Sequence, residues 1–246
     1  MMNNSKVSIV TIVYNDATGI RKTIESVLNQ TLAVDEYVVI DGGSKDGTKE
    51  IIEEYKDDIN YFISEPDAGI YDAMNKGWKL CKKGNYILFC NSSDFLESDA
   101  IKAFSIYAQS NQEQSDIYHG MLKFLKNQKL LYIQGRTSEM LKTCMIEHPA
   151  SFVKKRVFEQ LSGFDLHYKS ASDYDFMLRA QQAGFKFSFF ENIINNFDTS
   201  GISSLSNRGQ LESLHIKNKY GLLSTHEYKL RTFAAKISNS IKRAIR

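Results

Sequence analysis

Four oxygen-bearing residues, Asn91-Ser92-Ser93-Asp94, directly follow the apolar run Tyr86-Ile87-Leu88-Phe89-Cys90. A short apolar run of this kind reads as a buried parallel strand, and ligands of open α/β sheets sit just beyond the carboxyl ends of such strands. Two more strand-like runs end in acid: residues 36–40 lead into Asp41, and residues 60–64 into Glu65 and Asp67. One Asp in a turn means little by itself. Three strand ends gathering negative charge at one edge predict a site. Such a crevice does not suit a naked phosphate, and neither a Walker loop nor GxGxxG is present to cradle one. A hard cation, Mg2+ or Mn2+, held by few protein oxygens and bridging to substrate phosphates resolves the charge. The chemistry implied is departure of a nucleotide diphosphate whose charge the cation neutralises.

The elements that must position these residues alternate regularly. Strands are expected over 7–14, 36–40, 60–64 and 86–90. Between them fall helices: one opened by Asn15-Asp16 with Ile20, Ile24, Val27 and Leu28 on a single face, then 49–55 and 70–83. This pattern specifies βαβ units, a parallel sheet and right-handed crossovers. Beyond Ser98 the regularity loosens. A helix over 98–109 is followed by strand-like 116–118 and by 122–134, broken at Lys126-Asn127-Gln128-Lys129 by a hairpin turn. His148-Pro149-Ala150-Ser151 precedes a helix over 155–161, and another begins near Ser172-Asp173 with Tyr174, Met177 and Leu178 on its face.

Composition bounds the class. The chain has 246 residues, 42% hydrophobic and 24% charged, as in ordinary soluble proteins. Cys81, Cys90 and Cys144 make no CxxC pair and no zinc spacing, which fits buried thiols in a reducing compartment. Residues 1–6 lack a basic signal-peptide start, and the apolar run that follows is too short to span a bilayer, so a cytoplasmic protein is expected. Net charge is +2, but the chain from Ser206 onward holds nine Lys/Arg against two acids, which leaves −5 for the first 205 residues. An acidic body argues against nucleic acid as a partner. Phe233, Ile237, Ile241 and Ile245 recur every four residues among Arg231, Lys236, Lys242, Arg243 and Arg246. This describes a basic amphipathic helix suited to the inner face of an anionic membrane, with the protein peripheral on it. The expected organisation is a catalytic domain over 1–205, with a nucleotide-binding half (1–97) and an acceptor half (98–205). A basic, partly amphipathic helical extension over 206–246 completes it.

Three segments taken in order carry a resemblance: Val7-Ser8-Ile9-Val10-Thr11-Ile12-Val13-Tyr14-Asn15, Val39-Ile40-Asp41-Gly42-Gly43-Ser44-Lys45-Asp46-Gly47-Thr48, and the stretch from Ser64 to Gly77 containing Glu65-Pro66-Asp67-Ala68-Gly69-Ile70-Tyr71-Asp72. They resemble the family-two inverting glycosyltransferases of GT-A fold, in the bacterial polysaccharide branch that includes a colanic-acid enzyme. The resemblance spans Lys6 to about Ser204. It implies a Rossmann-like three-layer α/β/α domain with a mostly parallel central sheet. The activity it implies is transfer from a nucleotide-diphosphate sugar to a saccharide acceptor, which such enzymes often receive on a polyprenyl diphosphate.

Site roles follow from the same resemblance. Asn15 and Asp41 match positions touching the ribose and base. Asp67, Asp72 and Lys76 match the segment facing the nucleotide and its sugar, and Asp72 with Lys76 also has the i, i+4 spacing of a surface ion pair. Asn91 to Asp94 aligns with the family's Asp-x-Asp-Asp metal motif and departs from it: Asn91 and Ser93 replace two carboxylates. That leaves Asp94 and Ser93 as the expected metal ligands, with Asn91 and Ser92 beside the substrate. Ser172-Asp173-Tyr174-Asp175 resembles the Glu-Asp motif that supplies the base, at Asp173 with Asp175 as fallback and Arg179 as its orienting partner. His148 matches an element lining the acceptor side, and Ser203, in Ser200-Gly201-Ile202-Ser203, a loop closing near the diphosphate. Two alternatives stay open: a nucleotidyltransferase-like enzyme on a similar sheet, and a non-catalytic sugar-nucleotide-binding scaffold, which the weakened metal motif would suit.

Overall fold

A computed structural model of the chain describes residues 5–111, 114–199 and 208–244, the last seven as backbone only. Strand β1 (Val7–Val13) lies between β2 (Glu36–Asp41) and β4 (Tyr86–Phe89), and β3 (Tyr61–Ser64) flanks β2. All three pairings are parallel, as the alternation of strands and helices demands. Side chains on β1 alternate between two cores: Val7, Ile9 and Val13 enter one, Val10 and Ile12 the other. This period-two division lets one strand serve both faces of a sandwiched sheet.

Helices α1 (Ile20–Leu28), α2 (Thr48–Glu53) and α4 (Ala100–Ser110) cover the first face through Ile20, Ile24, Ile52, Ile101 and Phe104. The second face carries α3 (Ile70–Leu80), α5 (Lys155–Leu161), α6 (Ser172–Gln182) and Ile216 of α7 (Arg208–Lys219). The result is three layers, α/β/α. Helix α3 approaches β1 closely because Gly77 has no side chain: a Cβ there would collide with Val10 Cγ1. It lays Tyr71, Met74 and Trp78 into the core, each worth about 1.5–3 kcal/mol of burial.

The second half of the sheet departs from the parallel expectation. Strand β8 (Ser151–Lys154) runs antiparallel to both β4 and β6 (Ile117–Lys126). Strand β9 (Phe187–Asp198) pairs parallel with β6 and antiparallel with the two-residue β5 (Phe95–Leu96). The hairpin turn at 126–129 is present and joins β6 to the edge strand β7 (Lys129–Gln134). Helix α8 (Thr225–Ala244) packs on α7, and the expected apolar residues Ile241 and Ile245 lie outside the described side chains. Among the described residues no helix is long and apolar enough to cross a membrane.

Candidate active site

The carboxyl ends of the parallel strands β1, β2 and β4 lie side by side at one edge of the sheet, and their loops are knitted together by side chains. Asn15, in the left-handed region at φ 48°, donates its backbone N–H to Ser44 Oγ (2.7 Å) and accepts from the Lys45 N–H (2.9 Å). The Asp16 N–H donates to Thr48 Oγ1 (2.9 Å), and that of Ala17 to Asp46 (3.0 Å). Asp41 is fully buried, accepting from the Ser44 hydroxyl and N–H and from Ser64 Oγ (2.6 Å). It braces the ends of β2 and β3 and does not stand open at the crevice. Asp67 accepts from the Gly69 N–H (2.8 Å), and its carboxylate lies over Gly42, where a Cβ would be 2.5 Å from Asp67 Oδ2 and 3.2 Å from Tyr14. Tyr14 is 61% exposed, an aromatic face at the rim.

The Asn91 to Asp94 loop is built around a residue that sequence reasoning missed. Asp16 Oδ2 accepts from Ser92 Oγ (2.6 Å) and from Ser93 Oγ (2.7 Å), while its Oδ1 takes the Gly19 N–H (3.0 Å). A carboxylate from the loop after β1 therefore serves the segment where the motif has lost its own. The signal was available, because Asp16 follows the first strand as Asp41 ends the second. Ser93 holds φ 73°, and Asn91 Oδ1 is a buried oxygen with no hydrogen-bond partner. Asp94 turns inward, against the expectation that it is the leading metal ligand. It is buried and accepts the Asp198 N–H of β9 (3.0 Å), while its own carbonyl accepts from Thr23 Oγ1 (2.6 Å). Burial, reinforced by the charges of Asp198 and Asp16, pushes its carboxyl well above the usual range against that N–H bond.

Among the described residues no three His, Cys, Asp or Glu side chains cluster closely enough to chelate a metal. The donors that Asp16 and the Asn91 loop offer are nonetheless all hard oxygens: the Asp16 carboxylate, the Ser93 hydroxyl and the unpartnered Asn91 Oδ1. One carboxylate suffices for a cation that brings substrate phosphates and water as its remaining ligands. The set fits Mg2+ or Mn2+ on those terms, with Asp94 behind it and not in its front rank.

Asp173, the expected base, lies at the start of α6. It receives the Tyr71 hydroxyl of α3 on its Oδ1 (2.9 Å), and the Tyr174 N–H on the same oxygen (2.9 Å). Tyr71 lies two residues beyond the Asp67-Ala68-Gly69 loop, so this bond ties Asp173 to the segment that follows β3. Tyr71 had no sequence signal as a partner, since 102 residues separate it from Asp173. The first turn of α6 is set by α7: Glu212 accepts the N–H groups of Lys169, Ser170 and Ala171. Asp72 accepts the Ala68 N–H (3.0 Å) and lies 3.6 Å from Lys76, whose shorter pairing is with Glu65 (2.8 Å).

Three further expectations are corrected by these contacts. Arg179 does not orient Asp173; it pairs with Asp175 (2.7 Å) and donates to the carbonyls of Leu161 and Gly163. Asp175, the fallback base, is buried under Arg179, Lys219 and Tyr220. Burial pushes its carboxyl up, but these partners override that and hold it below the ordinary value. Its lone pairs serve the joint of α5, α6 and α7. His148 is buried, stacked on Phe89 and edge-on to Phe164. Burial pushes its ring down against the pull of the Asp173 charge, so it sits near the acid without lining an open surface. Ser203 lies outside the described residues.

This three-layer α/β/α domain, with acid-bearing loops at the ends of its parallel strands, has the GT-A fold. Residues 8–161 match the model described as glycosyl transferase family 2, and the chain belongs to that family. It is a glycosyltransferase. An uncharacterized glycosyltransferase of Mycobacterium tuberculosis is 29% identical over 212 residues, 83% of this chain and 79% of that protein. Escherichia coli chondroitin synthase is 31% identical over 188 residues, 72% of this chain but 27% of that longer protein. Among solved structures, Staphylococcus aureus TarS 1–349 with UDP-GlcNAc superposes with a TM-score of 0.72 at 18% identity, covering 92% of this chain and 70% of that one. The Pyrobaculum calidifontis mannosyltransferase PcManGT with GDP-Man and Mn2+ gives 0.65 at 14% identity, covering 96% and 75%. At such identities the likeness is one of fold.

Proposed function

We propose that this chain transfers a sugar with inversion from a nucleotide-diphosphate sugar, a UDP-sugar foremost, to a saccharide acceptor of a cell-surface polysaccharide or lipopolysaccharide. The observation that carries the reading is Asp173. It is a half-buried acid held by a neutral phenol at the start of α6, with no Lys or Arg paired to it among the described residues. Asp173 removes the proton of the acceptor hydroxyl as its oxygen attacks the anomeric carbon. The bond from that carbon to the diphosphate oxygen breaks on the opposite face, and the nucleoside diphosphate leaves with the electron pair. Asp67, Tyr14 and the Asn15 loop bind and orient the donor. A divalent cation, when bound, supplies charge neutralisation to the departing diphosphate, and Asp16, Ser93 and Asn91 would hold it.

Leu230, Phe233 and Ile237 form an exposed apolar stripe on α8 flanked by Lys229, Arg231 and Lys236. This supports a peripheral position on the cytosolic face of the membrane, where an acceptor carried on a polyprenyl diphosphate would be met. The test is a panel of UDP- and GDP-sugars with and without Mn2+, reading nucleoside diphosphate release and the anomeric configuration of the product. Retention of configuration, or donor binding with no turnover on any acceptor tried, would overturn the reading. The latter result would favour the non-catalytic scaffold, for which the loss of acids at Asn91 and Ser93 is the supporting observation.

A further inference from the structure

Beside Tyr174 of α6, whose hydroxyl donates to the Leu141 carbonyl, a cleft of about 640 Å3 opens between the segment at Cys144-Met145 and helices α7 and α8. Its walls are Met145, Leu214, Ala234 and Ala235, and two cations, Lys217 and Arg231, line it, with no carboxylate among its described lining residues. Lys217 is half-buried. Burial, partly offset by the Cys144 thiol and reinforced by the Arg231 charge, lowers its ammonium below the usual range. Arg231 has Glu227 at 3.8 Å on the solvent side, an exposed pair of little strength. Two positive charges beside an apolar cleft whose described lining holds no carboxylate, one of them only weakly paired outside it, describe a site for an anion that carries an apolar body.

The mouth of the cleft gives the body its character. Ala234 lies one turn from Leu230 and Ile237 on α8, so the wall of the cleft continues into the exposed apolar stripe. On the other side, Tyr174 directly follows the proposed base. We propose that this cleft binds a phosphate or diphosphate carried on an apolar chain, with Lys217 and Arg231 as the anion's partners and the α8 stripe covering the chain. The occupant is the carrier of the acceptor, held one residue from Asp173, so the cleft would anchor the lipid end while the sugar end reaches the base. This rests on the lipid-linked acceptor proposed above.

Cys144 provides the readout, because Cys81 and Cys90 are buried while Cys144 is part-exposed in the cleft. The full chain is alkylated with a maleimide in the presence of dodecyl phosphate, inorganic phosphate or neutral dodecyl maltoside, and affinities are taken by calorimetry below micelle concentration. Dodecyl phosphate is expected to bind and to slow Cys144 labelling. Lys217→Gln and Arg231→Gln are each expected to weaken it about tenfold, the scale of one charge-assisted hydrogen bond, while Lys217→Arg retains it. Equal protection by the maltoside or by inorganic phosphate would overturn the proposal, as would unchanged affinity in both glutamine variants. UDP binding read on the same samples separates the two readings: its absence in the wild type would count against the donor site and leave the cleft result standing.

Discussion

If Tyr71 works by holding Asp173, the two residues must behave as one unit in a double-mutant cycle. Asp173→Asn keeps the shape and removes the base, which is worth about 100- to 10,000-fold in rate, or about 3–5 kcal/mol of barrier. Tyr71→Phe removes one hydroxyl at 2.9 Å from the carboxylate. A hydrogen bond to a charged group is worth about 1.5–3 kcal/mol, but the Tyr174 N–H still holds the same oxygen, so the lower end applies and about a tenfold fall in kcat is expected. Burial first, and then the Asp173 charge, push the Tyr71 phenol well above its ordinary value, so it stays a proton donor across the neutral range. In the Asp173→Asn background, Tyr71→Phe should change the rate by less than about threefold, because the group it positions is gone. The assay is steady-state release of nucleoside diphosphate with acceptor present, alongside UDP affinity, which neither change should move. Full activity in Asp173→Asn refutes the base assignment. A tenfold loss from Tyr71→Phe that persists in the double variant refutes the positioning role.

Asp175→Asn should destabilise the fold by about 3–5 kcal/mol, seen as a lower urea midpoint, because Arg179 and Lys219 would lose their buried partner. A stable but inactive variant would instead restore Asp175 as a base. Gly42→Ala should weaken UDP binding by about tenfold with little change in melting temperature, since its Cβ would meet Asp67 Oδ2 at 2.5 Å and displace it. Unchanged affinity would remove Asp67 from the donor site. His119 is buried on β6, and burial lowers its pKa to about 4 against a smaller opposing pull from the Arg136 backbone. The folded chain keeps the ring neutral while the unfolded chain protonates near its ordinary value of about 6.5. Stability is therefore complete above that value and falls as pH drops toward 4, by about 3 kcal/mol at about 1.36 kcal/mol per unit. Urea titrations of wild type and His119→Leu at two pH values, about 7.5 and about 4.5, check this: the variant should lose that share of the pH dependence.

The half of the fold through β4 was legible because its elements answer to local rules. Val7 to Val13 is β-branched at every position but Ser8 and alternates between two cores, α3 repeats its apolar residues at helical spacing, and the loops after β2 and β3 carry turn residues and acids. The half beyond β4 obeys pairings that no local window contains. Strand β9 interleaves Glu191, Asn192, Asn195 and Asn196 with apolar residues, and its register against β6 shifts near His119 and Met121, so the period-two signal of a strand is broken. The site divides along the same line. Asp41 and Asp67 are where strand-end logic places them, although Asp41 turns its carboxylate into the loops. The acid serving the Asn91 loop is Asp16, 76 residues before the Ser92 that bonds to it, and the hydroxyl serving Asp173 comes from α3. Ser93, which stands where the resemblance expects an acid, supplies the hydroxyl that Asp16 Oδ2 accepts, so a segment read as four consecutive residues is braced by the neighbouring strand's loop.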